Sequence, residues 1–138
     1  MRYVLLICAS LLIISCKKDG EIDPRDLAAS SGEKVEWWEL RTEHSHYEVN
    51  NGKWPALNQG DAQKLLDWIE KKHGWSVDLI TYAPWLVFRS KSLDLNVAPG
   101  SAVLNYLGKD NQWRQVSTNL DPSDTAFLHS LAKNGYQR

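Results

Sequence analysis

The apolar residues change their period along the chain, and that change restricts the fold more than any other feature. Over residues 61–73, Ala62, Leu65, Leu66 and Ile69 recur at helical spacing, while Lys64, Asp67, Glu70 and Lys71 fall on the other side. Gly74 follows as a left-handed stop. A second helix is expected over residues 122–134, with Phe127, Leu128 and Leu131 as its apolar stripe and Gly135 after it. Asp121 is placed to cap it, Pro122 suits the first helical position, and Asp124 takes the capping-box position in place of the usual Glu. Between these helices the period falls to two. Residues 76–82 and 85–89 are rich in β formers and are separated by Ala83 and Pro84. Leu93, Leu95 and Val97 alternate with Asp94 and Asn96, which predicts one buried and one wet face. Turn signals at residues 98–101 and 108–111 separate two further strands, 102–107 and 112–118. Residues 35–41 read as another. The pattern predicts an α+β fold: an antiparallel β-meander of about five to six strands with two helices packed on one face.

The N-terminus has a different character. Arg2 precedes an almost unbroken apolar run over residues 3–14. At about a dozen residues the run is too short to span a bilayer core of roughly 30 Å, but it fits the core of a secretory signal. The Ile13-Ile14-Ser15-Cys16 ending resembles the lipobox of bacterial lipoproteins. That resemblance implies that residues 1–15 are a signal peptide, that cleavage precedes Cys16, and that the Cys16 thiol is diacylated, with an amino-terminal chain such as palmitate often added. The following Lys17-Lys18-Asp19-Gly20-Glu21 is similar to the mature start of Bacteroidota-type lipoproteins, with a thinner acidic part. The implied location is the outer membrane, on its periplasmic face or at the cell surface. A solvated linker accounts for the same residues. Residues 16–34 are polar and aperiodic, and read as a lipid-anchored tether with a reach of about 20–25 Å. Residues 35–138 are then a single α+β domain.

Two cysteines are present, Cys8 in the signal and Cys16 at the lipobox. The expected mature domain therefore has no disulfide, no thiol nucleophile and no thiolate metal ligand, and it must hold by packing. The seven tryptophans suit that demand, since each buries a large area and needs one partner for its indole N–H. They also suit recognition, since tryptophan is enriched in binding hot spots. Trp37 and Trp38 are adjacent in a strand, so one of them must leave the core face. Trp54, beside Pro55 in a polar stretch, is a second candidate for exposure.

The formal net charge of −1, with no basic run, argues against a nucleic-acid partner. Gly-x-Ser-x-Gly and glycine-rich phosphate loops do not occur. His44 and His46 would share a strand face and could chelate a metal, but no third ligand lies at motif spacing. An exposed polar turn or strand end is the preferred reading of them. These readings lead to expectations of no catalytic residues, no cofactor and no metal. An acidic, aromatic edge made of Trp37, Trp38, Glu36, Glu39 and Glu43, with Trp54, is the expected docking surface for a protein partner. Small lipid-anchored α+β domains of this kind are similar in type to immunity lipoproteins, which implies neutralisation of a toxin acting in the periplasm. The alternative kept beside it is a glycan- or envelope-binding module that uses exposed tryptophans. A small envelope enzyme and a structural lipoprotein also remain open.

Overall fold

A computed structural model describes residues 24–29, 32–40, 54–77 and 83–134. Five strands form one antiparallel sheet in chain order: β1 (Glu36–Glu39), β2 (Leu86–Arg89), β3 (Leu93–Ala98), β4 (Ser101–Leu107) and β5 (Trp113–Asn119). Helix α1 (Gln59–Lys71) separates β1 from β2, and helix α2 (Pro122–Asn134) follows β5. This is the expected α+β meander. The β3–β4 connection is Pro99-Gly100, with Gly100 at φ 73°, as a type II turn requires of its third residue. The β4–β5 turn closes with Asn111 at φ 64°, a conformation that asparagine tolerates.

Register sorts the side chains by parity. Trp37, Phe88, Leu95, Leu104 and Val116 align across the five strands on one face. They share a single core with Leu65 and Ile69 of α1 and Leu128, Leu131 and Ala132 of α2. The opposite face carries the aligned row Trp38, Val87, Asn96, Val103 and Ser117. That face was expected to be wet, yet Val87, Asn96, Val103 and Ser117 are buried. Asn96 meets its polar demand locally, donating from Nδ2 to Asp94 Oδ1 at 2.9 Å.

Both outer strands are extended by short segments. Trp37 N–H donates to Pro55 O at 2.9 Å and Leu57 N–H to Val35 O at 2.8 Å, so residues 54–57 pair along the edge of β1. At the other edge Ser76 and Ser117 exchange two backbone hydrogen bonds. Of the strand expected over 76–82, Ser76 makes only this isolated bridge and Val77 is not in a strand; residues 78–82 lie outside the described residues.

Helix α1 starts two residues earlier than expected, because the cap is Asn58 rather than a residue next to Asp61. Asn58 Oδ1 accepts from Asp61 N–H at 2.9 Å. The helix ends at Lys71, before the expected His73, and Gly74 turns the chain at φ 80°. Helix α2 has its expected bounds. Asp124 N–H donates to Asp121 Oδ1 at 2.8 Å, and Asp121 N–H donates back to Asp124 Oδ2 at 3.1 Å, a capping box made by two aspartates.

The described part of the tether expected over 16–34 is docked on the sheet. A 3₁₀ turn, Pro24–Asp26, leads to Leu27, which bridges Gly108 in the β4–β5 turn. Ala28 N–H donates to Leu107 O at 2.8 Å and Lys109 N–H to Asp26 O at 2.9 Å. Leu27 and Ala29 pack against the core, and Val35 lies inside it. The Glu33 carboxylate accepts from Ser92 N–H at 2.9 Å and Ser92 Oγ at 2.6 Å, closing the β2–β3 turn. The folded unit thus begins by Pro24 rather than Val35. A chain starting at residue 30 should be less stable than one starting at residue 24 by about 1–3 kcal/mol in urea denaturation, the contribution of one partly buried leucine and two backbone hydrogen bonds.

The Asp124 carboxylate links the two helices. Asp124 accepts from Trp68 Nε1 at 3.0 Å and from Lys72 Nζ at 2.5 Å. Burial raises its pKa, but these two donors outweigh burial and hold it below its ordinary 3.8. Asp61 is held low in the same way: burial opposes, and the hydrogen bonds from Lys64 and Asn58 prevail. A depressed folded pKa gives stability that is complete above the unfolded value and is lost as pH falls through the folded one. The urea midpoint should therefore drop below about pH 4, and Asp124→Asn should remove part of that drop. Asp124→Ala should cost about 3 kcal/mol at neutral pH, since it removes a cap and strands the mostly buried Lys72.

Candidate functional site

Strand parity divides the expected docking edge between two faces. Trp37 is fully buried in the core. Glu39, on the same side, is also buried, and its Oε1 lies 2.9 Å from His129 Nδ1 of α2. The His129 ring meets Trp85 edge-on, with centroids 4.6 Å apart. Trp37 and Glu39 therefore hold the fold and cannot contact a partner. The backbone along this edge is paired by residues 54–57. Glu43 lies outside the described residues, as do Cys16, His44 and His46.

Three of the expected residues do come together. Glu36, Trp38 and Trp54 belong to the face opposite the helices. Here Glu36, Arg89 and Asp94 align across β1, β2 and β3 as acid, base and acid. Arg89 donates from Nε at 3.0 Å and from Nη2 at 2.8 Å to Asp94 Oδ2. Its guanidinium carbon sits 4.7 Å from the centre of the Trp54 ring, a cation–π stack. Lys34 pairs with Glu36 at 2.5 Å, closing the row at its edge. Trp38 and Trp54 are half-buried, and Arg89 is exposed. Arg89, Trp54 and Glu36 are each held by a neighbour. Such an arrangement loses little rotamer freedom when a second surface covers it.

Sequence reasoning missed Arg89, whose role depends on β1–β2 register. It also missed Trp113, which is 56% exposed and is the most open tryptophan of the described residues. The signal was available: Trp113 shares strand parity with Gln115, Ser117 and Asn119, all polar. Trp75 is buried in the core, and Trp68 and Trp85 pack against it. Trp68 lies edge-on to Trp75 at 6.2 Å and stacks on Phe127 at 6.4 Å.

Between the docked N-terminal segment and α1 is a cleft of about 260 Å³. Arg25, Lys109, Asp67 and Glu70 line it with both signs of charge. It is smaller than the roughly 300–1,000 Å³ of most small-molecule sites. Among the described residues no three His, Cys, Asp or Glu side chains are grouped to hold a metal, and no helix is long and apolar enough to cross a membrane. Gly108 allows one close approach: a Cβ there would meet Arg114 Nη1 at 2.0 Å, where the guanidinium crosses to Asp110.

No protein-family model, curated protein or solved structure matches this chain. Geometry and sequence alone carry the functional argument. Trp37→Ala should cost about 3–5 kcal/mol of stability, as for other buried aromatics. Trp113→Ala should change stability by no more than about 0.5 kcal/mol. Urea denaturation of the two variants separates a core tryptophan from a surface one.

Proposed function

We propose that this protein is a lipid-anchored envelope protein that acts by binding another protein, as an immunity-type inhibitor of a toxin acting in the periplasm. The lipobox-like ending at Cys16 supports the anchor and an outer-membrane location. The observation that carries the binding role is the Trp54–Arg89–Asp94 stack beside Trp38 and Glu36. Tryptophan and arginine are the residue types most enriched in hot spots, and here they are ordered before any partner arrives. The Arg89 guanidinium occupies one face of Trp54, which leaves that face closed to a sugar ring and favours a protein over a glycan at this position. Inhibition by coverage needs no reacting group, so the reading matches a site made of ordered side-chain contacts.

Three measurements test it. Mass spectrometry of the membrane fraction should show acyl chains on Cys16 as the first residue; a soluble product with an unmodified Cys16 would remove the anchor. Cells that lack the protein should be killed in contact with a toxin-bearing neighbour strain and protected by the wild-type gene. Trp54→Ala or Arg89→Ala should weaken binding to the captured toxin by more than about 2 kcal/mol, near 30-fold. Trp113→Ala should leave that affinity unchanged. Equal protection and equal affinity in all three variants would exclude this face as the binding surface, and capture of a glycan in place of a protein would establish the alternative class.

A further inference from the structure

We propose that the end of the sheet bearing the β4–β5 turn rests on the membrane surface, with Trp113 as its interfacial anchor. This rests on acylation of Cys16 and extends that reading from attachment to orientation. Three placements converge on the same end. The first is where the chain joins the domain: Leu27 bridges Gly108, and Ala28 N–H donates to Leu107 O at 2.8 Å. The second is reach. Eight residue steps separate Cys16 from Pro24, and at about 3.3–3.6 Å each they span at most about 28 Å. The lipidated residue lies at the headgroups, so this end of the domain cannot leave their vicinity. The third is Trp113 itself, the first residue of β5, paired across the sheet with Leu107 and 56% exposed. Leu107 is thus the shared neighbour of the docked segment and of the open tryptophan, which places the two within about 10 Å along the hydrogen-bonding direction.

Tryptophan at the boundary of water and acyl chains is the arrangement its amphipathic ring favours. The antiparallel order puts the β2–β3 turn at this end too, so exposed Lys91 joins exposed Lys109 on the rim. Arg114 is occupied by Asp110, and Lys34 by Glu36. The net field is therefore small. Charge adds to adhesion on anionic lipid and does not replace Trp113. A protein partner is a poorer occupant, because a gap of at most about 28 Å is no wider than a small domain of about 30 Å.

The test uses the acylated protein purified from membranes and reconstituted into phosphatidylethanolamine–phosphatidylglycerol vesicles, with and without brominated acyl chains. Wild type should show a loss of tryptophan emission in brominated vesicles. Trp113→Ala should bring the ratio between the two vesicle types to unity, while Trp54→Ala keeps the wild-type loss; circular dichroism checks that each variant is folded. Equal quenching in wild type and Trp113→Ala, with acyl chains present by intact mass, overturns the docking and leaves the anchor standing. An intact mass without acyl chains on Cys16 overturns both. A soluble protein bound through Trp113, with no quenching by brominated lipid, replaces the membrane with a protein partner and overturns the proposal.

Discussion

The Asp124 carboxylate ties together the two helices whose apolar stripes close one face of the sheet. Its oxygens take the Trp68 indole and the Lys72 ammonium from α1 and the Asp121 amide from the N-terminus of its own helix. The helices are distant in sequence, and each offers the sheet a single apolar stripe. Rotating either one would expose its stripe to water and lose the burial of several apolar side chains. A hydrogen-bonded, mostly buried carboxylate also resists that rotation, because each donor would lose its partner at once. Trp68 extends the joint by lying against Trp75 and Phe127. Midway along α2, His129 reaches Glu39 of β1, so the roof is also pinned to the sheet.

With the roof fixed, strand parity assigns the tryptophans. Val35, Trp37 and Glu39 point one way, and Glu36 and Trp38 the other. That much was legible, since adjacent strand residues cannot share a face. Which of the pair is inside follows from Val35, an apolar residue of Trp37's parity. Trp113 was legible by the same rule, from its polar companions Gln115 and Ser117. The burial of Glu39 was not, because it depends on a partner ninety residues away, and no local pattern marks His129 as that partner. The alternation of Leu93, Leu95 and Val97 located β3, but the burial of Asn96 on the far face escaped it. Alternation reports which face is more apolar, not whether the polar face is covered.

The N-terminal segment shows a different limit of pattern reading. Residues 24–29 have no period and few apolar groups, so composition assigns them to a tether. They nevertheless dock, because the β4–β5 turn presents open backbone groups that Ala28 and Asp26 complete. Backbone pairing of this kind is independent of side-chain hydrophobicity, and hydropathy cannot register it. The helix starts show the converse. Asp121 and Asp124 were readable because capping is local chemistry within four residues, whereas Asn58 was hidden by Gly60, which weakens the helical signal where α1 begins.

Docking of the first described residues at the β4–β5 turn has a geometric consequence for the face that carries Arg89 and Trp54. Register places Arg89, through Asp94, Asn105 and Gln115, two residues along the strands from the row of Leu107 and Trp113. Two strand residues rise about 7 Å. With Trp113 at the headgroups, the Arg89 row would stand just above them, on the side of the domain and not at its tip. A partner could then reach it only along the membrane surface. The bilayer would exclude about half of the possible approach directions, and the anchor would hold the rest in a fixed orientation. Restricting orientation before contact reduces the entropy lost on association, so a small face with few ordered side chains can bind specifically without the area that a freely tumbling domain would require.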